Sequence, residues 1–339
     1  MNKDYVTIYD LAKELGMSPS TVSRALSNHP RISEKTKEKV FRIANKYNYR
    51  LNTLASNLRK GSGNNIGIIV PLINRTFFAD AIHGIESVTS KNGYNILICQ
   101  SYESYQKEVE NVQTLIDSRV DGILMSISAE TTRFSHIETL ISNGIPLVLF
   151  DRVVNSIDTS KVSNDNYKGA FDTTNHLIKQ GYRNIAYLSG PLNLNIYKER
   201  FEGYRQSLKD NNVVYHQEFF NPNAITKETG LKAGHYLLSL KHKPDAIVAA
   251  GDYGALGALL ALKEAKIEVP REMGVAGYAN EPFTEIIEPS MTTSDQKSEE
   301  IGRNAAEILL EEINSEVQTV ARHVSIKPEW IVRNSTSRL

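Results

Sequence analysis

Apolar residues recur along the first fifty positions with a helical period that breaks twice. In TIYDLAKELG (7–16), Ile8, Leu11, Ala12 and Leu15 stand at i, i+3, i+4 and i+7, which is one helix face. Thr7 is placed to cap the start, and Gly16 to end the helix in the left-handed conformation. In MSPSTVSRALSN (17–28), Val22, Ala25 and Leu26 share a second face, with Ser18 as cap and Pro19 at the first helical position, where no donor is lost. Two short helices across Gly16-Met17-Ser18 predict a helix-turn-helix. Ser33 then caps EKTKEKVFRIANKYN, with Val40, Ile43, Ala44 and Tyr47 predicted to face inward. Leu54, Ala55 and Leu58 make a small apolar face on a further helix of about two turns, too short to be stable alone.

After the linker GSGNN (61–65), the pattern changes. Apolar runs at 66–70, 95–99, 121–125, 146–150, 185–189, 245–250 and 274–278 read as strands. Helical stretches fall at roughly 77–91, 104–118, 167–180, 197–210, 228–240, 252–266 and 296–313. Buried strands alternating with helices predict parallel sheets in βαβ units. Over two domain lengths they predict two similar lobes with a cleft at the strand ends. The expected division is a head (1–50), a hinge helix and linker (51–63) and an α/β body (64–339).

Charge sharpens that division. Residues 1–61 hold 12 Lys and Arg against 5 Asp and Glu, a net +7, and the remainder holds 27 against 34, a net −7. A basic head on an acidic body points to a polyanion partner for the head, although a solvated basic face would carry the same charge. Cys99 is the one cysteine, which excludes an internal disulfide and a cysteine-based zinc site. MNKDYVTIYD has no apolar run of signal-peptide length, and no run approaches the ~20 residues of a membrane span. A cytoplasmic protein is expected.

On the second helix, Ser20 and Arg24 lie opposite the apolar face, with Thr21 and Ser23 on its flanks. Short hydroxyl side chains let a helix approach base edges closely, and an arginine can fork onto guanine. Lys35, Thr36, Lys37 and Lys39 near the third helix start are placed for phosphates, contacts that position without specifying sequence. Enzyme motifs are missing. GSGNNIG precedes a strand instead of following one, no P-loop or G-x-S-x-G occurs, and the eight histidines lack metal-ligand spacing. No catalytic role, cofactor or metal is expected.

TIYDLAKELGMSPSTVSRAL, HPRISEKTKEKV and NYRLNTLASNLRKG resemble the LacI/GalR family of bacterial transcription regulators, and the resemblance continues to about residue 335. It implies a periplasmic-binding-protein-like body and a ligand-controlled regulator, a repressor by expectation, that binds double-stranded operator DNA. The implied DNA-binding set is Thr7, Ser18, Ser20, Thr21, Ser23, Arg24, Asn28 and Thr36 in the head. Asn52, Ala55 and Leu58 join it in a hinge helix that pairs over the minor groove, with Leu58 as a wedge. Leu51 stands where the family usually has proline. The tail VRNSTSRL has no leucine heptad, so a homodimer is implied.

The resemblance also implies three lobe crossings, near 162–165, 292–296 and 320–326. That gives a first lobe of about 64–162 and 296–321 and a second of about 163–292 and 322–335. Phe77, Phe78, Asp151, Arg200, Ile225, Asp252 and Asn280 become the implied ligand residues. Two alternatives stay open here: Phe77 and Phe78 as core aromatics, and Asp151 with Arg200 as a structural ion pair. Gly251 and Ala279 replace the family's usual asparagine and aspartate, and Ile225 its aromatic. With Arg75, Arg152, Lys198 and Arg200 nearby, the expected effector is an acidic sugar or sugar phosphate, a neutral sugar or oligosaccharide being the alternative. Rival readings of the whole chain are a solute-binding protein without DNA function and a sugar-processing enzyme.

Overall fold

In the computed structural model, which describes residues 6–49, 63–317 and 319–338, the chain separates into two units, Met1–Gly63 and Asn64–Leu339. The first holds α1 (Ile8–Leu15), α2 (Pro19–Leu26) and α3 (Glu34–Lys46). Each starts on a hydroxyl cap. Thr7 forms a capping box with Asp10, Ser18 Oγ accepts from the Thr21 N–H at 3.2 Å, and Ser33 Oγ from the Thr36 N–H at 3.3 Å. Gly16 closes α1 at φ 64°, the left-handed conformation that glycine adopts without strain. Leu11, Ala12, Leu15, Val22, Ala25, Val40 and Ala44 form the buried core.

Two expectations fail on α3. Lys37 is buried, with Nζ 2.6 Å from Glu34 Oε1, so it is not a phosphate contact. It stands one turn before Val40, where its aliphatic stem covers the core. Tyr47 faces solvent, because it lies past the last helical residue as the C-cap, with Lys46 Nζ over its ring at 4.8 Å.

The second unit begins with β1 (Asn65–Val70), α4 (Thr76–Thr89), β2 (Asn95–Gln100), α5 (Tyr105–Asp117), β3 (Gly122–Met125), α6 (Ser135–Ser142), β4 (Leu147–Phe150) and β5 (Ser160–Asn164). There follow α7 (Asn166–Lys179), β6 (Ile185–Leu188), α8 (Asn195–Asp210), β7 (Phe220–Asn221), α9 (Lys227–Ser239), β8 (Ala246–Ala249), α10 (Asp252–Glu264), β9 (Gly274–Ala276) and α11 (Phe283–Ile286). The chain ends through β10 (Thr293–Asp295), α12 (Ser298–Asn314), β11 (His323–Ile326) and β12 (Glu329–Ile331). The first sheet runs β11-β5-β4-β3-β1-β2 and the second β7-β6-β8-β9, with every neighbouring pair parallel. β10 and β12 pair antiparallel where the chain crosses between the lobes. Helices α4 and α12 pack at close range through Gly84 and Gly302; a Cβ on Gly84 would stand 2.1 Å from the Glu299 carbonyl oxygen.

Strand β11 corrects the expected lobe boundary. It pairs with β5, so 323–326 belong to the first lobe and the last crossing falls at 327–328, later than 320–326. The first crossing follows Asn164, within the expected 162–165. β5 reads SKVSN and escapes an apolar-run search, yet it is buried throughout. Its polar groups are partnered: Ser160 Oγ donates to Glu312 Oε1 at 2.6 Å, Lys161 Nζ to the Ile157 carbonyl at 2.6 Å, and Asn164 Nδ2 to the Gln296 and Ile326 carbonyls at 3.1 Å. Among the described residues no helix is long and apolar enough to cross a membrane, and no cluster of His, Cys, Asp and Glu is placed to hold a metal ion.

Candidate functional sites

On α2 the outer face is built as the spacing predicts. Ser20 and Arg24 are exposed and Thr21 and Ser23 half-buried, while Val22 and Ala25 lie in the core. Ser18 Oγ stands 2.9 Å from both Ser20 Oγ and Thr21 Oγ1. Three hydroxyls thus gather at a helix N-terminus, whose partial positive charge suits a phosphate oxygen. Asn28 is exposed in the left-handed conformation, with φ 54°, just past the end of α2. Thr7 Oγ1 donates to Asp10 Oδ2 at 2.6 Å, and Thr36 Oγ1 lies 2.9 Å from Ser33 Oγ. Asn52, Ala55 and Leu58 lie outside the described residues. Tyr9, which the sequence reading passed over, is 71% exposed on α1; its place on the polar face of that helix was the available signal.

In the second unit, a cavity of about 300 Å³ opens between the two sheets' ends. Phe77, Phe78, Asp151, Arg200, Ile225 and Asp252 line it, together with Arg75, Glu103, Arg152, Tyr197, Tyr253, Tyr278, Ala279, Glu281 and Gln296. Phe78 is also a member of the first lobe's core, and Phe77 meets it edge-to-face at 5.2 Å. Asn280 is not among the lining residues. At φ 56° its side chain bonds Asp295 Oδ2 at 3.2 Å and Arg333 NH2 at 3.0 Å, and its neighbour Ala279 takes the cavity wall. Lys198 also falls outside, in a surface groove with Tyr167, Phe201 and Arg205.

The expected cationic character does not appear. Arg152 is clamped by Glu103, NH1 to Oε2 at 2.6 Å and NH2 to Oε1 at 3.0 Å. Arg75 stacks on the Tyr253 ring at 4.9 Å. Arg200 donates to Asn166 Oδ1, the Ala250 carbonyl and Gln296 Oε1 at 2.7–2.8 Å, with its guanidinium 3.7 Å from the Tyr278 ring centre. Three guanidinium groups therefore face four carboxylates: Glu103, Asp151, Asp252 and Glu281. Arg200's acceptors are neutral, and the cation nearest Asp151 is Arg152, at 4.0 Å, so the two do not make the structural ion pair considered above.

Burial pushes the Asp151 carboxyl up to about 6, against the pull of Arg152 and Arg200. Burial raises Asp252 to about 6 as well. The Glu281 N–H at 2.8 Å and the Thr293 hydroxyl at 2.7 Å favour its ionised form. Asp151 holds φ 59°, an unusual backbone angle outside glycine. The lobes are tied across the cleft. Thr76 Oγ1 donates to Glu281 Oε2 at 2.6 Å, Asn195 Oδ1 accepts from the Val153 N–H at 3.1 Å, and Asn193 Nδ2 donates to the Ala129 carbonyl at 2.9 Å.

A capped helix-turn-helix with an open polar ridge, joined in one chain to a two-lobed body with a polar cleft, defines a DNA-binding transcription regulator of the ligand-responsive class. Residues 7–52 match the family model for bacterial regulatory proteins of the lacI family, and residues 174–336 the periplasmic binding protein-like domain. The HTH-type transcriptional repressor PurR of Vibrio campbellii is 30% identical over 98% of this chain and 99% of its own. A transcriptional regulator CelR–cellobiose complex superposes with a TM-score of 0.75 at 26% identity, over 97% of this chain and 99% of that one. The Lac repressor dimer bound to operator and an anti-inducer shares the fold at a TM-score of 0.87 and 22% identity, over 98% and 99%. The chain belongs to the LacI family. Family and fold are those of transcription regulators and not of enzymes.

Proposed function

We propose that this protein is a cytoplasmic repressor that grips pseudo-palindromic operator DNA as a homodimer, and that a small uncharged effector rich in hydroxyls, of monosaccharide size, sets the grip from between the lobes. The Thr7, Ser18, Ser20, Thr21, Ser23, Arg24, Asn28 and Thr36 ridge is assigned to DNA, with Arg24 reading a base. Phe77, Phe78, Asp151, Arg200, Ile225 and Asp252 are assigned to the effector. One observation carries the choice of a neutral ligand. The cavity sets apolar and aromatic walls beside a buried carboxylate, Asp151, while its arginines are already engaged within the protein. Aromatic faces suit the apolar side of a sugar ring, and a few placed polar groups fix its orientation. A solved relative in complex with cellobiose, a neutral disaccharide, supports the lack of charge and not the size. This departs from the acidic sugar that the basic residues alone suggested.

The test has two stages. Duplexes selected from a randomised pool by the full-length protein should converge on a two-half-site sequence, and a pool that never converges rejects the DNA assignment. Neutral monosaccharides titrated calorimetrically should then include one that binds and shifts operator affinity in either direction. A panel in which only anionic sugars do so rejects the effector assignment.

A further inference from the structure

Arg152 follows β4, and its side chain is buried beside the cavity. Its two terminal nitrogens engage Glu103 in a matched fork at 2.6 and 3.0 Å, and its Nε is buried with no hydrogen-bond partner among the described residues. Glu103 follows β2, the edge strand of the first sheet, 49 residues earlier. Tyr102 and Glu103 take successive left-handed conformations there, at φ 56° and 63°. The Ala129 N–H holds Glu103 Oε2 from behind at 2.8 Å. A guanidinium fork meeting two carboxylate oxygens is the geometry by which arginine captures an anionic ligand. Here the protein fills that fork with its own carboxylate, which stays partly exposed at the cavity.

We infer that Glu103 is a specificity-determining residue: by occupying the fork of Arg152 it excludes anionic ligands and reserves the cavity for uncharged ones. The inference rests on the reading of this cavity as the effector site. An incoming carboxylate or phosphate would have to break a two-point ion pair, and it would meet both the displaced Glu103 and Asp151, whose Oδ2 lies 4.0 Å from Arg152 Nε. Specificity of this kind comes from a built-in repulsive element as much as from attractive contacts. A neutral hydroxyl faces neither obstacle.

Removing the charge of Glu103 should convert the site. The full-length protein and E103Q are titrated calorimetrically with inorganic phosphate, and with glucuronate beside glucose. Wild type should give the same weak phosphate heat as E103Q/R152Q. E103Q should bind phosphate at least tenfold more tightly than wild type does, and E103Q/R152Q should lose that gain. The difference between E103Q and E103Q/R152Q reports the Arg152 fork alone, since the head is the same in both, so it holds even if every sugar fails to bind, a result that would count against the effector assignment alone. E103D keeps the charge but shortens its reach, and should open the fork partway should E103Q not fold. Wild-type phosphate binding as tight as that of the single variants, or single variants that gain none, overturns the inference.

Discussion

Thr76 and Glu281 lie 205 residues apart and meet across the cleft, the threonine hydroxyl donating to Glu281 Oε2 at 2.6 Å. The contact continues inward. The Glu281 N–H donates to Asp252 Oδ2 at 2.8 Å, and Asp252 Oδ1 accepts from Thr293 in the crossing strand β10 at 2.7 Å. A continuous chain of hydrogen bonds thus links the cavity wall to the place where the lobes join. Replacing Glu281 by Ala should loosen the contact between the lobes by about 1.5–3 kcal/mol, the scale of one hydrogen bond to a charged group. Small-angle scattering should show a larger radius of gyration, and the effector concentration that half-shifts operator binding should move several-fold. An unchanged radius and an unchanged midpoint together would sink the latch.

Asp151 makes the cleft sensitive to pH. Its folded carboxyl titrates at about 6, above the ordinary 3.8, because burial disfavours the charge. Between those values the folded protein holds a proton that the unfolded chain has released. The associated stability is complete below about 4 and declines as pH rises through about 6; Asp252, raised in the same direction, adds to the trend. Ionised Asp151 is the better acceptor for a ligand hydroxyl, so effector affinity should fall as pH drops below about 6. Calorimetry from pH 5 to 8 reads this, and D151N should flatten the profile. A profile equally steep in D151N would assign the titration elsewhere.

On the head, two neighbouring residues should fail in different ways. Arg24→Ala should cost about 1–3 kcal/mol on the selected operator and far less on random duplex, as loss of a base contact requires. Ser18→Ala removes the α2 cap and should cost about 1 kcal/mol of head stability, seen as a lower melting point. Fluorescence anisotropy on both duplexes, with a thermal melt, separates them. Equal losses on both duplexes for Arg24→Ala would make it a phosphate contact instead of a reader.

Gly84→Ala tests the packing beneath the cleft. The added Cβ would lie 2.1 Å from the Glu299 carbonyl, which belongs to the backbone of α12 and cannot swing away. Forcing these helices apart should cost about 1–3 kcal/mol, read by urea unfolding of the full chain. A variant as stable as wild type would show that the pair can slide.

Local order was largely readable from the chain alone. Thr7, Ser18, Ser33 and Gly16 delimit the head helices as their chemistry predicts, and seven apolar runs correspond to β1, β2, β3, β4, β6, β8 and β9. These features depend on neighbours a few residues away, which a sequence displays directly. The polar strand β5 was invisible, because its burial is supported by Glu312, Gln296 and Ile326, all more than 130 residues distant.

The same division holds at the sites. The Ser20–Arg24 ridge follows from helical periodicity alone. The cavity's charge does not, because Arg152 is neutralised by Glu103 and Arg200 is spent on Asn166, Ala250 and Gln296. Asn280 turns away from the cavity toward Asp295 and Arg333, 15 and 53 residues along the chain. By itself the sequence determined the capped reading head, the alternation of strands and helices, and the residue types available to the cleft. Only the tertiary structure decided which of the cleft's charges meet, because Arg152 and Glu103 stand 49 residues apart and their pairing is set by where distant segments fold.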